Sequence, residues 1–233
     1  MTVLLVRSEV EPGGSRMRDV PVAHVLRQLF LHQQPSELSI QFQKTAVGRL
    51  RVHPQVRSED GTRILDLAGH AQFSLPGLPS ERVSWDGSFE FTPGLEWRRV
   101  RVGVTTRGPD RYRLEVDHDV VAGQGRYQLK SGDVVVRASP YSLDPAGRAM
   151  LLQQANLSPP MIAMIEGAVQ SSGGQEAVML AARQATLSFQ GEQIETSLVT
   201  LRQGIQKLLE IHISQLGQVL QADSMLGYSL SAE

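Results

Sequence analysis

Arg99-Val100-Arg101-Val102-Gly103-Val104, followed beyond Gly108-Pro109 by Tyr112-Arg113-Leu114-Glu115-Val116-Asp117, is the stretch that decides the fold. Along an extended chain successive side chains point to opposite faces. Each run therefore presents a row of apolar groups on one side and a row of charges on the other. The Gly-Pro pair between them reverses the chain, so the two runs predict an antiparallel hairpin with one dry and one wet face.

The same alternation extends in both directions. It is read at 38–43, where Leu38, Ile40 and Phe42 alternate with Ser39, Gln41 and Gln43, and again at Leu50 and Val52, with Gly48 available for a bend or bulge. Further strands are expected over 64–75, 82–91, 97–106, 111–120 and 125–138. Turn chemistry separates them at Asp60-Gly61, Pro76-Gly77, Asp86-Gly87, Pro93-Gly94, Gly123 and Gly132-Asp133. After residue 184 the period of two returns over 186–190, 194–202, 207–214, 218–222 and 227–231.

Two stretches break this pattern. Val22, Val25, Leu26, Leu29 and Phe30 fall on one stripe of a helix over about 20–33, with Asp19 as the expected cap and Pro21 in the first turn. Residues 144–183 read as a helical island. It opens at Asp144-Pro145, continues through the apolar stripe of Met161, Ile162, Met164, Ile165, Ala168 and Val169, breaks at Gly173-Gly174, and closes with a third short helix over 175–183. The resulting expectation is an α+β, mainly β fold: a large antiparallel curved sheet or half-barrel, with an N-terminal helix and a helical insert packed on the sheet. Residues 1–18 read as a flexible segment, a short strand or the remnant of an anchor. Residues 19–233 read as a single β-rich domain.

Composition narrows the function by exclusion. The 233 residues carry 41% hydrophobic and 20% charged side chains, enough for a core without disulfides, and a formal net charge of -1 gives no whole-molecule attraction to nucleic acid. The absence of cysteine removes thiol nucleophiles and thiolate metal sites. The early apolar run Val3-Leu4-Leu5-Val6 is too short for a membrane span or a signal-peptide core. The chain as it stands reads as soluble, with membrane association expected only through a lost N-terminal anchor.

The sequence contains no phosphate loop, dinucleotide fingerprint or nucleophile elbow. His24, His32, His53, His70, His118 and His212 have no zinc-binding spacing. Asp117-His118-Asp119 splits between two strand faces, which separates the imidazole from the carboxylates. No cofactor, metal or catalytic group is expected, and the chain does not read as an enzyme. Arg98, Arg99, Arg101, Arg111 and Arg113 form a basic hairpin that could contact lipid head groups or a protein partner. Glu96, Asp110, Glu115 and Asp117 are interleaved with them, as in a cross-strand paired, solvated face. Met150, Met161, Met164 and Met179 suit either an adaptable apolar pocket or an ordinary core.

With strands such as 97–106 and 111–120 set around the 144–183 island, the arrangement resembles periplasmic lipoprotein and lipid carriers of the lipoprotein-localisation-factor type. The resemblance spans roughly residues 38–231 and is architectural, with no motif matched residue by residue. It implies a curved sheet wrapped around helices and a cavity that accepts a lipid or acyl chain. Met161, Ile162, Met164, Ile165 and Val169 would face the cavity from the helices, and Trp85, Phe89, Phe91 and Trp97 from the sheet. It implies a periplasmic or envelope location. The alternative is an interaction module of an envelope protein assembly, with a dry core and a protein partner.

Overall fold

The computed structural model describes residues 18–73, 81–107, 111–141, 178–203, 205–225 and 227–232. These form one helix, α1 (Val22–His32), and thirteen strands: β1 (Ser36–Phe42), β2 (Thr45–Val56), β3 (Arg63–Phe73), β4 (Glu81–Phe91), β5 (Trp97–Arg107), β6 (Arg111–Asp119), β7 (Gln124–Ser131), β8 (Val134–Tyr141), β9 (Val178–Phe189), β10 (Glu192–Gln203), β11 (Gln206–Ser214), β12 (Val219–Ser224) and β13 (Tyr228–Ala232). The chain divides into two compact units. The first takes Met1–Val56 with Gln175–Glu233, and the second takes Arg57–Gly174.

In the first unit the strands lie in the order β2-β1-β13-β12-β11-β10-β9. The antiparallel register aligns Ile40, Leu230, Ala222, Ile211, Val199 and Ala182 as one apolar row across six strands. Helix α1 contacts β2 and β9 and buries Val22, Val25, Leu29 and Phe30 of the expected stripe, with Leu26 half-buried. The β11–β12 turn presses close to this helix: a Cβ at Gly217 would lie 2.7 Å from the Gln28 carbonyl oxygen and 2.9 Å from the Leu29 Cα. The Ser36 hydroxyl accepts a hydrogen bond from the Val219 amide at 2.9 Å, a buried contact between β1 and β12.

Several sequence expectations are corrected here. Asp19 does not cap α1. Pro21 occupies the N-cap without a side-chain hydrogen bond, while Asp19 forms a β-bridge to Arg183. The Val20 amide bonds the Ala182 carbonyl at 3.0 Å and the Gln184 amide bonds the Arg18 carbonyl at 2.9 Å, which holds 18–20 extended and delays the helix. The short helix expected up to residue 183 is overturned over 178–183. That segment begins β9, which pairs with β10 from Val178↔Gln203 through Phe189↔Glu192. Backbone pairing along the full strand outweighs the helical preference of Met179-Leu180-Ala181-Ala182. The rest of the island, including Met150, Met161, Ile162, Met164, Ile165 and Val169, lies outside the described residues, as do residues 1–17.

Gly48 does sit at a bulge: Ile40 pairs with Gly48 and Gln41 with Ala46, leaving Val47 as the extra residue. The second unit orders its strands β8-β7-β6-β5-β4-β3, an antiparallel meander of the kind the opening stretch predicts.

Candidate functional site

The second unit has two chemically distinct faces, both set by register. On the apolar face one row runs Leu67, Gly87, Val102, Val116 and Tyr127, and the next runs Gly69, Trp85, Val104, Leu114 and Leu129. A third joins Leu65, Phe89, Val100 and His118. Tyr127, Leu129, Val83 and Phe91 are buried, whereas Trp85, Phe89, Val100, Val102, Val104, Leu114 and Val116 are half-buried. The face is a greasy surface with a sealed margin and a more accessible middle. Phe89 lies beside Gly87, where a Cβ would stand 3.2 Å from the ring. Trp97 packs on Phe91 at a ring-centroid distance of 4.5 Å and meets Phe89 edge-on at 6.0 Å. The structure thus brings the four sequence-predicted aromatics onto one apolar face, with Phe89 and Phe91 both against Trp97 and Trp85 one register row beyond Gly87.

The opposite face is a lattice of ion pairs. Arg99 grips Asp117 through two hydrogen bonds of 2.7 and 2.5 Å, which raises the Arg99 pKa and lowers that of Asp117. Arg101 pairs with Glu90, whose side chain is only 7% exposed, and Arg57 approaches the same carboxylate at 4.0 Å. Arg113 joins Asp86 and Glu115, each at 2.8 Å, and its guanidinium also donates to the buried Thr105 hydroxyl. These carboxylates hold Arg113 well above the usual arginine range. Lys130 bonds the second Glu115 oxygen at 2.6 Å, and together Lys130 and then Arg113 lower the Glu115 pKa.

Gly103 is what makes this lattice possible. It lies between Asp86 and Glu115 in the register, and a Cβ there would stand 2.8 Å from both Arg113 Cζ and Asp86 Oδ2. The Arg113 side chain therefore crosses β5 where there is no side chain in its way. Arg98 reaches Asp60 at 3.4 Å and Thr62 at 3.2 Å. Asp60 is held below the usual carboxylate range mainly by its hydrogen bonds from Thr62. Four of the five arginines singled out in the sequence are thus engaged with carboxylates of their own unit. Arg111, the fifth, is exposed at the start of β6. Asp117, His118 and Asp119 separate as strand geometry requires: Asp117 is on Arg99, His118 is buried, and Asp119 Oδ1 accepts the Ala122 amide in the following turn at 2.9 Å.

A polar cluster not anticipated from sequence lies in the first unit. Arg183, Leu198, His212 and Gln221 form one register row, and the buried Thr196 hydroxyl sits 3.0 Å from His212 Nδ1. Burial lowers the His212 pKa against the opposing pull of Asp223 and Glu210. Nothing local to His212 marks it in the sequence, because its neighbours come from strands distant in sequence.

No protein-family profile matches the chain, and no curated protein matches it. Among solved structures the chain is similar to a β-barrel-like protein of a domain of unknown function, DUF1849, from Brucella abortus. The identity is 10% and the TM-score 0.38, over 85% of this chain and 93% of that one. No site residue is carried across. Among the described residues no helix is long and apolar enough to cross a membrane.

Proposed function

We propose that this chain is a non-catalytic binding protein of the cell envelope that holds a lipid acyl chain, or a ligand of similar apolar character, on the inner rows of the β3–β7 face. The observation that carries this reading is the half-burial of Trp85, Phe89, Val102, Val104, Leu114 and Val116 in contiguous rows. Apolar area left partly accessible gains roughly 25 cal/mol per Å² when a ligand covers it. The charged groups of the other face support a structural role, since they are engaged with one another rather than gathered around a substrate-sized space. The likeness to lipoprotein and lipid carriers noted from the sequence agrees in chemistry with such a face.

The test uses the two tryptophans as reporters. In Trp97→Phe, Trp85 is the sole emitter, and a soluble brominated fatty acid should quench it saturably. Solvent extraction of the native protein followed by mass spectrometry should recover lipid. Absence of both signals would refute the reading.

A second reading, a protein-interaction module of an envelope assembly, has its own observation. Strand β8 ends the strand order of its unit, and Val134, Val135 and Val136 are exposed on it. Such an edge suits strand addition by a partner. Val135→Lys should weaken that association while leaving fatty-acid quenching intact; equal partner recovery would refute it.

A further inference from the structure

We infer that the end of the second unit formed by the turns at 92–96 and 120–123 docks on a phospholipid bilayer, placing Leu95, Trp97, Val120 and Val121 at the boundary between head groups and acyl chains. The two turns are neighbours: the Val120 amide donates to the Arg98 carbonyl at 3.0 Å. They project from one end of the sheet, because β4 and β6 both finish there.

Both turns carry apolar residues where turn chemistry disfavours them. Hairpin tips favour Gly, Asn, Asp and Ser. The 120–123 turn has the expected frame, with the Asp119 carboxylate on the Ala122 amide and Gly123 at φ +65°, yet its tip holds two β-branched valines. Val121 is 79% exposed and Val120 37%. In the other turn Leu95 adopts φ +69°, a left-handed conformation that a bulky side chain rarely occupies, held by its amide bond to the Thr92 carbonyl at 2.9 Å. Trp97 comes after the exposed Glu96 and is itself 37% exposed and braced by Phe91 and Phe89. An exposed tryptophan mounted rigidly near the exposed valine tip at 120–121 suits the bilayer interface, where amphipathic rings settle. The 120–123 tip is open to such an approach: a Cβ at Gly123 would meet nothing within 4 Å.

The charges set the mode of docking. Arg98 is engaged by Asp60, Arg99 by Asp117, and Asp119 by its own turn. The two arginines are thus compensated, while Asp119 and the exposed Glu96 remain anionic; apolar insertion drives the association, so it should need no anionic lipid and resist salt. The inference is independent of the ligand reading, because it concerns the turns and not the inner rows.

In Trp85→Phe, Trp97 is the sole emitter. Mixed with phosphatidylcholine vesicles, its emission should shift to the blue and be quenched by brominated phosphatidylcholine, equally at low and high salt and with or without phosphatidylglycerol. Val120→Asp/Val121→Asp should lower vesicle partitioning at least about tenfold with the far-ultraviolet circular dichroism unchanged. Val134→Asp, which alters an exposed valine elsewhere, should leave partitioning unchanged. The inference is overturned by failure to bind vesicles, by binding that high salt abolishes, by an equal loss in Val134→Asp, or by a protein complex that the double variant loses while vesicles are never bound. If vesicles bind but soluble fatty acid does not quench Trp85, only the ligand reading falls.

Discussion

Replacing Gly217 by alanine tests how tightly the β11–β12 turn and helix α1 are matched. Gly217 has φ +75°, so any side chain there carries a left-handed backbone penalty of about 1–2 kcal/mol. Its Cβ would also stand 2.7 Å from the Gln28 oxygen and 2.9 Å from the Leu29 Cα, both backbone atoms that cannot swing aside. Relief requires the helix or the turn to move, an overpacking cost of about 1–3 kcal/mol. Gly191 supplies the control within the same unit: its φ is +85°, but a Cβ there meets nothing within 4 Å. Gly191→Ala should therefore lose only the backbone part, and Gly217→Ala should be the less stable by about 1–3 kcal/mol. Urea unfolding should give a midpoint lower by about 1 M for Gly217→Ala than for Gly191→Ala. Hydrogen exchange should locate the extra loss in residues 22–32. Equal midpoints and equal protection of α1 in the two variants would refute the clash.

Two further predictions concern pH. Glu115 has a lowered pKa, so the stability it contributes is complete above its unfolded value near 4.5 and disappears as pH falls through the folded value. Lys130→Gln should therefore be less stable than the parent at pH 7, with the gap narrowing below about pH 4.5 in thermal melts; a gap independent of pH would contradict this. His212 also has a lowered pKa, here from burial, so the folded state resists its protonation and stability should decline as pH falls below its unfolded value of 6.5. His212→Gln should flatten that part of the stability profile, and an unchanged slope would assign the decline to another group.

The strands were legible because their signal is local. Val100-Arg101-Val102 needs only its own alternation, and Gly132-Asp133 its own turn preference. Arg99, Arg101 and Arg113 interleaved with acidic residues likewise announced a paired face. Which carboxylate each arginine takes depends on cross-strand register, and the part played by Gly103 appears only once Arg113 is seen passing over it. The errors share a cause: backbone pairing with a distant strand prevailed over local preference. Asp19 looked like a cap until Arg18 and Val20 were found bonded to β9, and Val178–Arg183 read as helical because Met, Leu and Ala favour helices while β10 supplies a full ladder. The four aromatics picked out from the sequence share a face, and that follows from the β4–β5 register. The strained backbone at Leu95 left no trace in composition or period.

The pairing of β1 with β13 has a consequence for biosynthesis. Leu38 must wait for Ala232, and the whole of the second unit is translated in between. At ribosomal speeds of roughly 5–20 residues per second, that interval is on the order of ten to forty seconds. The β1–β2 hairpin can form early, but the other edge of β1 has no native neighbour until β13 emerges. An unpaired edge of this kind is a target for wrong strand pairing. The second unit, continuous in sequence, is free to fold first, so the nascent protein should mature from its middle outward and be most vulnerable to misassembly just before β13 is made.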